Sequence, residues 1–242
     1  MSFYDLIQSV IDDTLGPSLA AFAPELTICA TIVLLLLARM LLSARSGGAF
    51  VLALAGSATA LWLAAPWHDL QAGTALVSGA ETGTPIFTGM LVFDKFSVFL
   101  RGLLLLFVVL FVVFTRISRV PDDDQATEFF VLILGATLGM CLMVSANHVF
   151  IVFLGIEMAS VPSYAVAGLM KGERRSSEAA LKFAVFGGAT AGVMLYGISL
   201  LAGALGSVHL PTMAAQLGGI VQDGLGMERG LVLALGGLMV AV

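Results

Sequence analysis

Long apolar stretches separated by short polar ones dominate the chain. Six of them have the roughly 20 residues that a helix needs to cross the hydrocarbon core of a bilayer, and the alternation typical of membrane barrels is not seen. A seventh apolar stretch begins near Arg229 and continues to Val242. The pattern predicts an all-α membrane protein with six transmembrane helices and the start of a seventh. The approximate bounds of the six are 22–42, 49–67, 96–114, 128–145, 149–170 and 177–203.

These stretches predict a single transmembrane domain over residues 1–242. It comprises an N-terminal segment at 1–21, helices 1 to 4 over 22–145, and helices 5, 6 and the start of 7 over 146–242. Only Asn147 and His148 separate the fourth and fifth helices, so we expect a tight antiparallel hairpin there. The loop from Trp67 to Lys95 alternates turn residues with β-branched and apolar runs, which fits either a short β-hairpin or an irregular loop.

Basic residues are distributed unequally between the two ends of the predicted helices. Only Lys95, Arg101 and Arg229 fall on or near one side of the membrane under this span count. The positive-inside rule places the richer side in the cytoplasm and therefore the N-terminus outside. The residues of the richer side are Arg39, Arg45, Arg116, Arg119, Lys171, Arg174 and Arg175.

Composition supports the membrane assignment and restricts the chemistry. Hydrophobic residues make up 59% of the chain and charged residues 11%, with a mean hydropathy of +1.04, whereas soluble domains average about 25% charged residues. The sequence contains no nucleotide-binding loop, no histidine pair at metal spacing and no nucleophile elbow. Its two cysteines are too few for an iron–sulfur cluster. We expect no cofactor, no redox chemistry and no nucleic-acid binding on this chain.

Glu157 places a carboxyl group near the middle of an apolar stretch. A charge at the centre of a membrane helix costs about 2.5 to 3.5 kcal/mol on insertion scales, so such residues are functional candidates. Pro162 cannot donate a hydrogen bond to the carbonyl of Met158, and Ser160 and Tyr164 share the face of Glu157, so this region could hold water. The alternative is a protonated carboxyl that is hydrogen-bonded to a neighbouring helix.

Lys182, in the next apolar stretch, is the candidate partner of Glu157. In one interpretation it is a proton carrier whose affinity for its proton depends on a nearby carboxylate. In the other it pairs with Glu178, four residues earlier, and extends to the cytoplasmic surface. Glu25 lies beside Pro24 at the outer end of the first helix, where we expect it to reach the interface in a structural or capping role.

Histidine is the residue type whose charge changes near neutral pH, and His148 lies in the predicted turn between the fourth and fifth helices. There it could face an external water path, or it could simply be solvated.

Four blocks of the sequence resemble one family, the antiporter-like subunit N of the proton-pumping NADH:quinone oxidoreductase, respiratory complex I. They are APELTICATIVLLLLARML, GMLVFDKFSVFLRGLLLL, EFFVLILGATLGMCLMVSANHVFIVFLGIEMASVPSYAVAGLM and RRSSEAALKFAVFGGATAGVMLYGISLLAGALGS. By this resemblance Glu157 corresponds to the glutamate of the family's fifth helix. Lys182 corresponds to the lysine of its Ser-Glu-Ala-Ala-Leu-Lys segment, and both belong to the family's charged axis.

The resemblance implies a proton-translocating subunit of a bacterial inner membrane. Its expected neighbours are a small K-like subunit and an antiporter-like M-like subunit, with NADH, FMN, iron–sulfur clusters and quinone on other subunits. Two other functions fit the same fold: a subunit of a sodium/proton antiporter or hydrogenase complex, and a truncated scaffold that does not pump.

The sequence departs from the family in two ways. Family members are about twice as long and contain two inverted repeats, and their pumping lysine is expected a few residues past Val242. We therefore expect the chain to be the N-terminal part of a longer subunit. His148 stands where the family more commonly has an acidic or polar residue.

Overall fold

The computed structural model describes residues 11, 14, 18–42, 46–64, 83–118, 125–170, 172–223 and 227–241. Most of the predicted external segment 1–21 and most of the loop before Lys95 therefore lie outside the described residues. The same holds for Arg45, Arg119 and Lys171.

Within the described residues, six helices are long and apolar enough to cross a membrane, which confirms the predicted class. Each starts and ends within a few residues of its predicted bounds, because the lengths of the apolar stretches determine them. The six are α1 (Ala23–Leu42), α2 (Ser46–Ala64), α3 (Lys95–Ser118), α4 (Ala126–Ser145), α5 (Val149–Ala167) and α6 (Arg174–Leu205).

Two shorter helices follow: α7 (Leu210–Asp223) and α8 (Met227–Ala241). The start of α8 confirms the predicted seventh apolar helix. Helix α7 was not predicted, since its 14 residues span only about 21 Å and cannot cross a bilayer. Gly206 caps α6 with a left-handed backbone, φ 65°, so the chain turns sharply before α7.

Helices α1 to α4 share an apolar core. Ile28, Leu35, Leu105, Val112 and Leu134 are among its fully buried side chains. Many large apolar side chains on the outer surfaces of the helices remain exposed, as expected where lipid, rather than water, surrounds a bundle.

Glycines set the closest helix contacts. A Cβ atom on Gly139 of α4 would lie 2.7 Å from the carbonyl oxygen of Gly155 in α5, and a Cβ atom on Gly155 would lie 2.8 Å from the carbonyl oxygen of Gly139. This contact confirms the predicted hairpin, since only glycine lets two backbones approach so closely. Gly197 of α6 makes a similar approach, with a would-be Cβ 2.8 Å from the carbonyl oxygen of Gly236 in α8.

Gly188 and Gly192 of α6 make no such close contact within the described part of the chain. No atom lies within 4 Å of a would-be Cβ at either position. The surface of α6 around them is open.

A short antiparallel hairpin, β1 (Thr84–Ile86) with β2 (Leu91–Phe93), covers one end of the bundle. Of the two alternatives predicted for the loop before Lys95, the described part of the structure shows the short β-hairpin. Asn147 fastens it to the turn between α4 and α5, because its backbone N–H donates to the Met90 carbonyl at 2.9 Å and its side-chain amide donates to the Gly89 carbonyl at 3.1 Å. We call the end of the bundle that β1 and β2 cover the hairpin end. The opposite, basic end contains Arg39, Arg116, Arg174 and Arg175.

Candidate functional site

Glu157 lies in the middle of α5 and is half-buried. It follows Gly155 by two residues, so the close crossing with α4 fixes the backbone that bears it. Its carboxyl group makes no ion pair or hydrogen bond with any other described residue. The structure therefore presents a carboxyl group in the middle of a membrane-capable helix, with no cation beside it among the described residues.

The residues around Glu157 take part in helix contacts. Pro162 lies inside α5, and the Ser160 hydroxyl donates to the Ile156 carbonyl at 2.7 Å. The Tyr164 ring packs edge-on against Phe183 of α6, with 4.7 Å between ring centroids. Tyr164 thus joins α5 to α6 at a point about two helical turns from Glu157.

Lys182 forms an ion pair within its own helix. Its Nζ atom lies 2.6 Å from Oε1 of Glu178, and the two side chains are 66% and 57% exposed. This geometry matches the local interpretation of Lys182. An exposed pair four residues apart contributes only about 0.3 to 0.5 kcal/mol, so little energy holds the lysine in this position.

Lys182 and Glu157 lie at different depths of the α5–α6 pair. Gly168, at the end of α5, lies against Ala180, with a would-be Cβ 2.9 Å from the Ala180 Cβ. Lys182 therefore sits beside the last turn of α5, near Tyr164. Glu157 precedes Tyr164 by seven residues, which corresponds to about 10 Å along the helix axis toward the hairpin end. The two groups do not form a direct ion pair in this conformation.

His148 caps the start of α5. Its Nδ1 accepts a hydrogen bond from the Phe150 N–H at 3.3 Å, and its ring stacks on that of Phe150. His209, which sequence analysis did not single out, pairs through its backbone with His148 and through Nε2 with the Asn147 amide nitrogen at 2.9 Å. Both histidines therefore help to join the segments at the hairpin end, and the external water path remains a prediction.

Glu25 does not reach the interface, contrary to expectation. Its side chain is only 2% exposed and pairs with the guanidinium of Arg101 from α3, which is 4% exposed. The same Nη2 atom donates to the Ala21 carbonyl at 3.0 Å, and the ring of Phe93 lies 5.8 Å from the guanidinium carbon. The hairpin thus covers a buried ion pair that sequence analysis missed.

A sequence signal for this pair did exist. Glu25 is in the first turn of α1 and Arg101 lies seven residues into α3. Both helices begin at the hairpin end, so opposite charges were placed at comparable depths. Among the described residues, no group of three or more His, Cys, Asp or Glu side chains could hold a metal ion.

Comparison with known proteins gives consistent matches. The family described as NADH:quinone oxidoreductase/Mrp antiporter, TM, matches residues 146–242. NADH-quinone oxidoreductase subunit N 2 of Sorangium cellulosum is 35% identical over 207 residues, which cover 83% of this chain and 39% of that protein. F(420)H(2) dehydrogenase subunit N of Methanosarcina mazei is 33% identical over 215 residues, which cover 88% of this chain and 43% of that protein.

A solved structure shows the same helix arrangement. A chain of respiratory complex I from Thermus thermophilus, with bound aureothin, aligns with a TM-score of 0.58 and 25% identity, covering 88% of this chain and 42% of that one. The chain spans about two fifths of the length of the curated relatives it matches. By sequence and by fold, the chain belongs to the antiporter-like membrane family that includes subunit N of NADH-quinone oxidoreductase.

Proposed function

We propose that this chain is part of a proton-translocating membrane subunit of an NADH:quinone oxidoreductase in a bacterial inner membrane. Electron transfer from NADH to quinone on other subunits would drive proton movement through this one, beside a small K-like and an M-like neighbour. The supporting observation is Glu157, a carboxyl group in the middle of a membrane helix with no cation beside it among the described residues. Ionisable residues inside membrane helices commonly mark ion or proton pathways.

In the proposed mechanism, Lys182 and Glu157 carry protons in series. Lys182, held loosely by Glu178 near the basic end, receives a proton first. Glu157 lies about 10 Å deeper along the same helix pair, and water beside Tyr164 would connect the two.

Electrostatic coupling between the two carriers does not require contact. The Coulomb attraction between two opposite charges falls only in proportion to their separation, and it is stronger where little water lies between them. An ionised Glu157 therefore stabilises the protonated lysine. A charge change relayed from the quinone-reducing subunits would weaken that stabilisation, and the proton would move from Lys182 to Glu157.

The test is Glu157→Gln in the complete complex. Glutamine keeps the shape and hydrogen-bonding groups but cannot accept the proton, so we expect at least a twofold loss in protons translocated per NADH oxidised. The measurement is NADH-driven acidification in sealed vesicles. Glu173→Gln is the matched control, because Glu173 is exposed at the start of α6 and makes no side-chain capping bond. Undiminished pumping in a normally assembled Glu157→Gln complex would rule out the role of Glu157.

A second candidate function is a subunit of a sodium/proton antiporter or of another dehydrogenase or hydrogenase complex. It is favoured by the family description, which includes the Mrp antiporter, and by the Methanosarcina relative, an F(420)H(2) dehydrogenase subunit. Deleting the gene distinguishes the two. We expect membranes of the deletion strain to lose proton-coupled NADH oxidation by quinone, whereas loss of an antiporter would leave that reaction intact.

A further inference from the structure

A cavity of about 310 Å³ lies between α1, α4 and the end of α5 at the basic end. This volume is at the lower limit of known small-molecule sites, about 300 to 1,000 Å³. Its polar residues include the ion-paired Arg39 and Glu128. Its apolar walls include Leu36, Val131, Leu132 and Leu169.

The arginine at this cavity has an unused hydrogen-bond donor. Arg39 Nη2 lies 3.1 Å from Oε1 of Glu128, whereas Arg39 Nη1 is buried and has no hydrogen-bond partner among the described residues. Buried donors are nearly always satisfied by protein, water or ligand. A guanidinium favours a phosphate or carboxylate oxygen as its acceptor.

The position of the cavity suggests where that acceptor comes from. Arg39 is in the last turn of α1 and Glu128 in the first turn of α4, so both lie where spanning helices leave the hydrocarbon core. Phospholipid phosphates occupy this level of a bilayer. The apolar walls are those that an acyl chain requires.

We propose that the cavity binds one phospholipid with a primary-amine head group, such as phosphatidylethanolamine. The phosphate would accept hydrogen bonds from Arg39, the ammonium would face Glu128, and part of an acyl chain would lie along Leu132. The Glu128 carboxylate lies beside Arg39, so a purely anionic head group at Arg39 would also meet a negative charge. A zwitterion complements both charges. This inference does not depend on the proposed proton translocation.

The experiment uses the complete membrane complex in phosphatidylcholine nanodiscs. A phosphatidylethanolamine with a photoreactive diazirine in its acyl chain is added, and cross-linked peptides of α4 and α5 are identified by mass spectrometry. We expect Arg39→Gln to lower labelling of these peptides at least fivefold. Arg116→Gln is the matched control at the same end, since its guanidinium lies over Phe50, outside the cavity, and labelling should stay unchanged.

A second variant tests the apolar part while leaving the ion pair in place. Ala165 is an exposed residue of α5 at the cavity, so Ala165→Leu narrows it without disturbing Arg39, and labelling should fall at least threefold. Unchanged labelling in both variants would overturn the proposal. So would equal or stronger labelling by the corresponding phosphatidylglycerol probe, or protection of the cavity peptides from every lipid probe, which would indicate that protein covers them.

Discussion

Replacing Arg101 by glutamine is expected to destabilise the subunit by about 3 to 5 kcal/mol, because it leaves the buried Glu25 carboxylate without its counter-charge. This corresponds to at least a hundredfold shift toward the unfolded or unassembled state. The substitution also removes the hydrogen bond to the Ala21 carbonyl. The amount of subunit in the assembled complex and the thermal stability of that complex in detergent measure the effect.

A double-substitution cycle separates the ion pair from simple loss of packing. We expect Glu25→Gln with Arg101→Gln to be less destabilising than Arg101→Gln alone, because no buried charge then remains unpaired. Lys95→Gln is the matched control. It removes a cation from the same end of α3, but Lys95 is exposed, so its effect should stay below about 0.5 kcal/mol. Additive effects of the two single substitutions would contradict the described pair.

Features of the structure that depend on residues close together in the sequence could be predicted, whereas those that depend on distant residues could not. The six helices follow from the lengths of apolar stretches, and the Lys182–Glu178 pair follows from helix geometry over four residues. The pair formed by Glu25 and Arg101 joins residues 76 positions apart. Finding it requires knowing which helices are neighbours and how deep each residue lies, and neither can be read from apolar periodicity.

The relative depth of Glu157 and Lys182 depended on the same kind of information. Contact between Gly168 and Ala180 fixes the position of α6 along the axis of α5. The predicted helix bounds already place Lys182 closer to the end of its helix than Glu157, but only the contact between the helices fixes their register. Helix α7 could not be predicted for another reason: it is amphipathic and too short to cross the membrane, so its sequence lacks the long apolar stretch that indicates a spanning helix.

The hairpin end holds the start of the Glu157 helix in place. Asn147 bonds to the hairpin at Gly89 and Met90, and the hairpin residue Phe93 covers Arg101. The buried ion pair and the beginning of α5 are thus attached to the same short hairpin. Loss of the ion pair would therefore disturb α5 as well as the α1–α3 contact.

The crossing of α4 and α5 provides the second large expected effect. A leucine at Gly139 would drive its Cβ to 2.7 Å from the Gly155 carbonyl oxygen and 2.8 Å from the Ala159 nitrogen. Both atoms belong to the backbone, so relief requires the helices to separate. We expect Gly139→Leu to cost about 3 kcal/mol or more, at or above the upper end for overpacked cores.

Separation at Gly139 would also move Glu157, which lies two residues beyond Gly155, relative to α6. In whatever fraction of Gly139→Leu complex assembles, we therefore expect proton translocation per NADH to fall more than quinone reduction does. Gly102→Leu is the matched control, because no described atom lies within 4 Å of its would-be Cβ and leucine favours the helix by about 1 kcal/mol. Equal melting temperatures and equal pumping in the two variants would show that α4 and α5 do not cross at these glycines, and the fixed position of Glu157 would lose its support.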